Sequence, residues 1–226
     1  MLSVIIPTLN ADRELGRTFN SLLTALVDGM VREVIIVDAN STDKTRELAE
    51  AAGATILTSD PNRGKQMHKG ALQAKSDWLL FLHADTALEE GWHHKIESFI
   101  AERGAKKQAA AFKFALDDTG FAPKLLTLLV SARSKFFKLP YGDQGLLISN
   151  THYNEIGGFR DLPLMEDVDI IGRMKHPVKI LNTKAITSAA RFKRDGYLKR
   201  SLKNLQCLGA YYRGKPIQEI KQLYEQ

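Results

Sequence analysis

The stretch Val4-Ile5-Ile6-Pro7-Thr8-Leu9-Asn10 decides the fold, because it is a short β-branched run that ends in small polar side chains. Three similar apolar runs follow it, and patterns with helical spacing lie between them. Strands that alternate with helices predict an α/β fold, with a mostly parallel sheet and helices on both of its faces. The predicted strands are Ser3–Thr8, Glu33–Asp38, Ala54–Ser59 and Trp78–His83.

The second half of the chain has a looser pattern. It predicts two further strands, Ala109–Leu116 and Gly145–Ser149, and a basic amphipathic helix, Pro123–Lys138. Terminal helices are expected over Tyr197–Arg213 and Pro216–Tyr224. The simplest organisation is one domain over residues 1–226, with a nucleotide-binding half (1–103) and an acceptor-side half with C-terminal helices (104–226).

Composition limits the class of protein. The 226 residues carry a net charge of +6, which suits an anionic substrate, and nucleic acid is not required as a partner. Cys207 is the only cysteine, so we expect no disulfide framework and a reducing compartment. The N-terminal run has no basic leader, and no apolar stretch reaches the roughly 18–20 residues that span a bilayer. We therefore expect a cytoplasmic protein, and peripheral docking at the inner face of the membrane stays open.

The predicted strand ends carry polar residues. Ligands of open parallel sheets bind beyond these carboxyl ends, although helix capping also favours Asn10, Ser41, Thr42 and Asp43 there. Asp38 ends its strand directly, and an ionised carboxylate only accepts hydrogen bonds. Uracil, thymine and guanine offer a ring N–H to such an acceptor, whereas adenine and cytosine do not. The position of Asp38 therefore predicts that the protein binds a uridine, thymidine or guanosine nucleotide.

Asp85 is the strongest candidate for a metal ligand. A divalent ion can bridge and neutralise a diphosphate leaving group, and Mg²⁺ or Mn²⁺ accepts a single protein carboxylate together with phosphate oxygens. His83 lies two residues earlier, on the same side of an extended chain. Three roles stay open for His83: a second metal ligand, a donor to ribose or phosphate, or a packed side chain.

Two further segments are candidates for chemistry. Arg63-Gly64-Lys65 precedes a predicted helix, where glycine permits close backbone approach and the helix start favours anions; the alternative is a solvated loop. Glu166, Asp167 and Asp169 follow a turn at Gly157-Gly158 and open an apparent helix, Val168–Met174. Acidic residues are favourable at a helix start without any catalysis, but a buried carboxylate there could also deprotonate a sugar hydroxyl.

These motifs together resemble the family 2 glycosyltransferases of the GT-A (Rossmann-like) fold. The matching segments run from about residue 2 to residue 175, and His83-Ala84-Asp85 stands where that family carries Asp-x-Asp. More narrowly, the chain resembles the small bacterial radical-SAM/selenodomain-associated glycosyltransferases. The matching features are Asp38-Ala39-Asn40-Ser41, Arg63-Gly64-Lys65-Gln66-Met67, Leu82-His83-Ala84-Asp85-Thr86 and Tyr141-Gly142-Asp143-Gln144-Gly145.

The resemblance implies an inverting glycosyltransferase that uses a nucleoside-diphosphate sugar, with UDP favoured, and Mg²⁺ or Mn²⁺. Asp167 would be the base, Glu166 would position the acceptor, and Asp85 with His83 would hold the metal. The residues expected to bind the nucleotide sugar are Pro7, Thr8, Asn10, Asp38, Arg63, Gly64, Lys65, His83 and Ala84. No Gln-x-x-Arg-Trp segment follows Asp167, so we do not expect processive polymer synthesis. Arg191 and Arg194 could meet the diphosphate or an anionic acceptor, or lie solvated at the surface.

Other functions also fit parts of the pattern. A sugar-nucleotide nucleotidyltransferase usually needs a glycine-rich basic loop after the first strand. The loop at this position, Thr8-Leu9-Asn10-Ala11-Asp12, is neither rich in glycine nor basic. A non-catalytic nucleotide-sugar-binding module is the second alternative, because His83 departs from the metal motif. The sugar, the acceptor and the oligomeric state cannot be read from the sequence.

A lipid-linked acceptor is an open possibility because two segments combine basic and apolar residues. In Lys124–Leu139 the basic residues are Lys124, Arg133, Lys135 and Lys138, and the apolar ones include Leu125, Leu128, Leu129, Phe136 and Phe137. The C-terminal stretch adds Arg191, Lys193, Arg194, Lys199, Arg200 and Lys203. Such helices can lie in a lipid interface; the alternative is that their apolar faces only close the core.

Overall fold

One mixed sheet forms the centre of the computed structural model, which describes residues 1–136 and 139–225. Its strands are β1 (Leu2–Thr8), β2 (Val31–Asp38), β3 (Thr55–Thr58), β4 (Trp78–Phe81), β5 (Thr86–Leu88), β6 (Ala109–Leu116), β7 (Leu146–Ser149) and β8 (Lys179–Thr187). Their order across the sheet is β3-β2-β1-β4-β7-β6-β8-β5. Both halves of the chain therefore contribute to the same sheet.

The first four strands run parallel, as predicted. β1 pairs with β2 and β4, and β2 pairs with β3. Beyond β4 the direction changes, because β7 is antiparallel to β4 and β6, and β5 is antiparallel to β8. β6 and β8 are again parallel. The α/β fold with a mostly parallel sheet is confirmed, and its antiparallel part is an addition that the sequence did not predict.

Helices cover both faces of this sheet. They are α1 (Asp12–Val27), α2 (Thr45–Ala51), α3 (Arg63–Gln73), α4 (Trp92–Ile100), α5 (Phe121–Phe136), α6 (Asn150–Glu155), α7 (Glu166–Gly172), α8 (Ala190–Asp195), α9 (Tyr197–Tyr212) and α10 (Ile217–Glu225). Asn62 caps α3, because its side chain accepts a hydrogen bond from the Lys65 backbone at 3.0 Å. Asn10 is not the cap that we predicted for α1, since Ala11 occupies that position.

Alternation along the central strands produces two hydrophobic layers. Ile6 belongs to the layer that contains Leu15 of α1 and Trp92 of α4. Ile5, its neighbour in β1, belongs to the opposite layer, which contains Met67 of α3. Full burial of such a side chain contributes about 1.5–3 kcal/mol, so the two layers fix the strand ends firmly in place.

The C-terminal helices pack over the loop that precedes α7. Cys207 and Ala210 of α9 form a small buried cluster with Leu164 and with Ile220 of α10. This cluster brings α9 and α10 to the acidic segment at the start of α7.

The predicted basic amphipathic segments are only partly buried. In α5, Val130 is buried, but Leu128 and Leu129 are 65% and 58% exposed, so they do not close the core. Phe137 and Lys138 lie outside the described residues, as do the side chains of Lys135 and Phe136. None of the helices in the described part of the chain is both long and apolar enough to span a membrane.

Candidate active site

A cleft of about 690 Å³ opens at the carboxyl ends of β1 and β4. This is the edge at which parallel sheets bind ligands. The expected donor-binding residues that line it are Pro7, Thr8, Asn10, Arg63, His83 and Ala84, and the predicted metal ligand Asp85 lines it as well. We refer to it as the donor cleft.

A smaller cavity of about 120 Å³ adjoins the donor cleft. Glu166 and Asp167 line this catalytic cavity, and Arg63, His83 and Asp85 line both spaces. The fold therefore brings residues that are more than 80 positions apart in sequence to one continuous site, with the metal candidates between the donor cleft and the acidic pair.

Asp167 is held in a fixed orientation at the start of α7. Its Oδ2 accepts a hydrogen bond from the Gly142 backbone at 2.8 Å, and its Oδ1 accepts one from the Val168 backbone at 2.8 Å. Both bonds hold the carboxylate in one orientation. The side chain is half-buried and faces the catalytic cavity. An oriented carboxylate of this kind can accept a proton from a hydroxyl group.

Glu166 lies in a very different environment. It is only 1% exposed, and its Oε2 has no hydrogen-bond partner among the described residues. Burial and repulsion from Asp167 raise the pKa of Glu166 to about 8, although Arg63, whose Nη1 lies 3.8 Å from Oε1, opposes the shift. Glu166 is therefore protonated at neutral pH and can donate a hydrogen bond.

Glu166→Gln should change the pH dependence of stability. Between pH 4.5 and about 8 the unfolded chain has lost this proton and the folded chain keeps it. The contribution of Glu166 to the free energy of unfolding is therefore full at low pH. It is lost as pH rises towards the pKa that Glu166 has in the folded protein, by up to about 1.4 kcal/mol per pH unit. We expect the variant to gain stability relative to the wild type between about pH 5 and 8 in urea unfolding. A constant difference across this range would contradict the assignment.

His83 presents a buried nitrogen to the site. Its Nε2 has no hydrogen-bond partner in the described part of the protein. Burial, reinforced by the charge of Arg63, lowers the pKa of His83 to about 4, so the imidazole is neutral and keeps a lone pair. A Cβ atom at Gly142 would lie 2.6 Å from this nitrogen. The Gly142 backbone therefore packs closely against this nitrogen, and a larger residue at position 142 would displace the imidazole.

His83 and Asp85 are candidate ligands for a metal ion that would take its remaining ligands from elsewhere. An unpartnered imidazole nitrogen and a half-buried carboxylate line the same two spaces. Residues 1–136 and 139–225 contain no group of three or more histidine, cysteine or acidic side chains placed to hold a metal. The protein would thus supply part of the coordination shell, as is common when phosphate oxygens complete it.

Asp143 is a site residue that our predicted set did not include. Burial raises the pKa of Asp143 to about 7, and its Oδ1 has no hydrogen-bond partner among the described residues. Its backbone oxygen accepts a hydrogen bond from Thr187 at 3.2 Å, which fixes the loop against β8. The sequence signal for it is Tyr141-Gly142-Asp143-Gln144-Gly145, which supports the family resemblance but by itself predicts no chemical role.

Asp38 does not lie on the surface of the donor cleft. It is fully buried, and its Oδ1 accepts hydrogen bonds from the hydroxyl groups of Thr8, at 2.9 Å, and Ser41. Its Oδ2 accepts one from the Ser41 backbone at 3.0 Å. Asp38 therefore holds the ends of β1 and β2 together, and contact with a base requires one of these groups to turn away.

Gly64 and Lys65 do not line the donor cleft either. A Cβ atom at Gly64 would lie 2.0 Å from the backbone oxygen of Arg160, so the close approach is to the protein's own backbone, not to a phosphate. Lys65 is about half exposed and forms an ion pair with Asp161 at 3.2 Å. Of the Arg63-Gly64-Lys65 segment, only Arg63 faces both spaces of the site.

Comparison with known proteins decides the family. The profile described as "Glycosyl transferase family 2" matches residues 3–159. The chain belongs to glycosyl transferase family 2. This match contains the ends of β1, β2 and β4 and the loop at Gly142, so most of the site lies within the part that the family shares.

Curated relatives match parts of the chain. The glucosyl-3-phosphoglycerate synthase of Mycolicibacterium paratuberculosis is 30% identical over 93 residues, which are 37% of this chain and 28% of that protein. A PGL/p-HBAD biosynthesis glycosyltransferase of Mycobacterium bovis is 33% identical over 116 residues, 45% of this chain and 42% of that protein. The chain thus spans less than half the length of these relatives.

Solved structures show the same fold over nearly the whole chain. S. aureus TarS 1-349 has a TM-score of 0.64 at 17% identity and covers 99% of this chain and 69% of its own. Glucosyl-3-phosphoglycerate synthase from Mycobacterium tuberculosis, in complex with Mn²⁺ and UDP-glucose, has a TM-score of 0.62 at 17% identity. The match covers 96% of this chain and 80% of that one. The GT-A glycosyltransferase fold is therefore shown for this chain.

Proposed function

We propose that residues 1–226 act as one inverting glycosyltransferase domain, which moves a sugar from UDP to a hydroxyl acceptor. The observation that carries the proposal is the shared wall of the two cavities. Arg63, His83 and Asp85 face both the donor cleft and the space that holds Asp167. A sugar whose diphosphate lies beside these three residues has its anomeric carbon next to the acidic pair.

The donor cleft is proposed to hold the nucleotide. Its polar lining is at the β1 end, where Thr8 and Asn10 lie, and the cations that line it include Arg63, Arg191 and Arg194. Arginine binds phosphate oxygens well because its planar fork can donate two bonds at once. A metal ion held by Asp85 and His83 would neutralise the charge that develops on the leaving diphosphate.

Proton transfer is assigned to Asp167. Its carboxylate takes the proton of the acceptor hydroxyl while the acceptor oxygen forms a bond to the anomeric carbon on the face opposite the diphosphate. The bond between that carbon and the phosphate oxygen breaks, and its electron pair leaves with UDP. Protonated Glu166 donates a hydrogen bond that positions the acceptor, since its unpartnered Oε2 is buried beside the reacting groups.

Selection of the nucleotide gives a direct test of the donor. We expect UDP to bind at least about tenfold more tightly than ADP or CDP, because Asp38 at the end of β2 accepts a ring N–H once a hydroxyl now bonded to it turns away. Isothermal calorimetry with Mg²⁺ present measures the difference. Equal affinity for UDP and ADP would contradict base selection. Loss of the preference in Asp38→Asn would assign it to Asp38 itself.

We also propose that the enzyme docks on an anionic membrane surface to reach a lipid-linked acceptor. Helices α5 and α9 contact each other and expose leucines at helical spacing, among them Leu125 and Leu128 on α5 and Leu198 and Leu202 on α9. Lys124, Lys199 and Lys203 lie on the same helices. Each such cation contributes roughly 1 kcal/mol near an anionic surface, which supports reversible binding.

Vesicle sedimentation tests this docking. The protein should sediment with phosphatidylglycerol vesicles at low salt and not with phosphatidylcholine vesicles, because both the charges and the exposed leucines are needed. Leu128→Glu together with Leu202→Glu should abolish binding. Leu72→Glu is a matched control, since Leu72 is 71% exposed and belongs to α3, which is not one of the two docking helices. Equal loss in the control, or no sedimentation of the wild type, would exclude docking by this face.

A further inference from the structure

A basic cavity of about 300 Å³ lies between α8, α9 and α10. Five cations and one carboxylate, Asp195, line it together with Tyr224. The cations are Arg191, Arg194, Lys199, Arg200 and Lys203. Such an excess of positive charge around one cavity favours an anion.

The basic cavity is continuous with the catalytic cavity. Arg191, Arg200 and Tyr224 line both of them. Lys199 and Lys203, in contrast, line the basic cavity alone among the cavities described. A ligand group held by these two lysines is therefore beside the reacting centre without occupying the donor cleft.

The internal partners of these cations are too few to neutralise them. Arg200, whose side chain is 10% exposed, lies 3.3 Å from Asp195, and the same carboxylate also pairs with Arg194 at 2.8 Å. Tyr224 supports the Arg200 guanidinium through its ring, at 4.3 Å, and its hydroxyl. A largely buried guanidinium is costly unless an anion completes its pairing.

The remaining cations lie beyond ion-pair distance of every carboxylate in the described part of the chain, although Lys203 attracts Asp195 at longer range. In the described residues no acidic side chain forms an ion pair with Arg191, Lys199 or Lys203. Lys199 and Lys203 are also one helical turn apart on α9, and like charges at this spacing repel each other. An anion bound between them would relieve this repulsion.

We propose that the acceptor carries a phosphate group, which binds in the basic cavity while the acceptor hydroxyl reaches Asp167. This assignment rests on the proposed transferase function and specifies the class of its acceptor. Lysine and arginine side chains from two helices surround the phosphate, and Arg191 stands between it and the donor cleft. The phosphate can belong to a soluble phosphomonoester or to a lipid head group.

Calorimetry with UDP and Mg²⁺ at saturation tests the proposal, because the donor site is then already occupied. Glycerol 3-phosphate should bind to the wild type, and glycerol should not, at constant ionic strength. In Lys199→Gln/Lys203→Gln the Kd for glycerol 3-phosphate should rise at least about tenfold, while the Kd for UDP changes less than about twofold. Lys106→Gln/Lys107→Gln removes the same charge from an exposed turn and should alter neither value.

A vesicle arm distinguishes the source of the phosphate. Preference for phosphatidic acid over phosphatidylserine at equal surface charge, reduced by the Lys199/Lys203 substitutions, would assign it to a lipid head group. The proposal is overturned if UDP binds but neither phosphate probe does, or if both probes bind the double variant as well as the wild type. Failure of UDP to bind at all would instead overturn the transferase function on which the proposal rests.

Discussion

Replacing Asp167 by Asn is expected to lower kcat for UDP release from a UDP-sugar by about 10²–10⁴-fold, the usual contribution of a general base. An amide has nearly the same shape and can still accept the Gly142 hydrogen bond, but it cannot take up a proton at neutral pH. Affinity for UDP should therefore be unchanged, and the loss should appear in kcat.

The Asp167→Asn experiment needs a control variant and a stated result that would contradict it. Asp161→Asn removes an exposed carboxylate on the loop before α7 and should leave kcat within about twofold of the wild type. Activity of Asp167→Asn within about tenfold of the wild type would show that another group takes the proton. Asp143 would then be the first alternative, because it lines the same cavity.

Asp85→Ala should lower UDP-sugar turnover at least about a hundredfold, and excess chelator should do the same to the wild type. The reason is that Asp85 is the carboxylate shared by the donor cleft and the catalytic cavity, where the charge of the diphosphate must be neutralised. Full activity in chelator would contradict a metal role for this residue.

His83→Asp examines the departure from the Asp-x-Asp pattern. If His83 is a metal ligand, the carboxylate should keep activity and change the ratio of Mg²⁺-supported to Mn²⁺-supported rates. If His83 only packs, a buried carboxylate without a partner should lower the melting temperature instead. Rates with each metal and thermal unfolding, measured on the same sample, separate the two roles.

The sequence predicts the parts of the fold that depend on local pattern. Apolar runs of β-branched residues predict the parallel strands. The polar residues at the ends of these runs predict that Thr8, His83 and Asp85 lie at one edge of the sheet, as they do. Strand direction beyond β4 depends on long-range pairing. β8 in particular alternates exposed lysines with buried residues, so it lacks the continuous apolar run of a central strand.

The missed features of the site depend on contacts between distant segments. Asp38 is buried because the hydroxyl groups of Thr8 and Ser41 close over it, and no single-residue pattern shows that. Glycine is required at position 64 because the backbone at Arg160, about 100 positions later in the sequence, lies against it. The basic cavity exists only because α9 and α10 pack together beside α8. Residue types at strand ends were predictable, but their burial and partners were not.

A crystal structure with UDP and Mn²⁺, with anomalous data collected at the manganese edge, tests the central claim most directly. We predict one anomalous peak within bonding distance of the Asp85 carboxylate, with the uridine beside Thr8 and the diphosphate between the metal and Arg63. Bound UDP outside the cleft at the ends of β1 and β4, or manganese bound without contact to Asp85, would contradict the account.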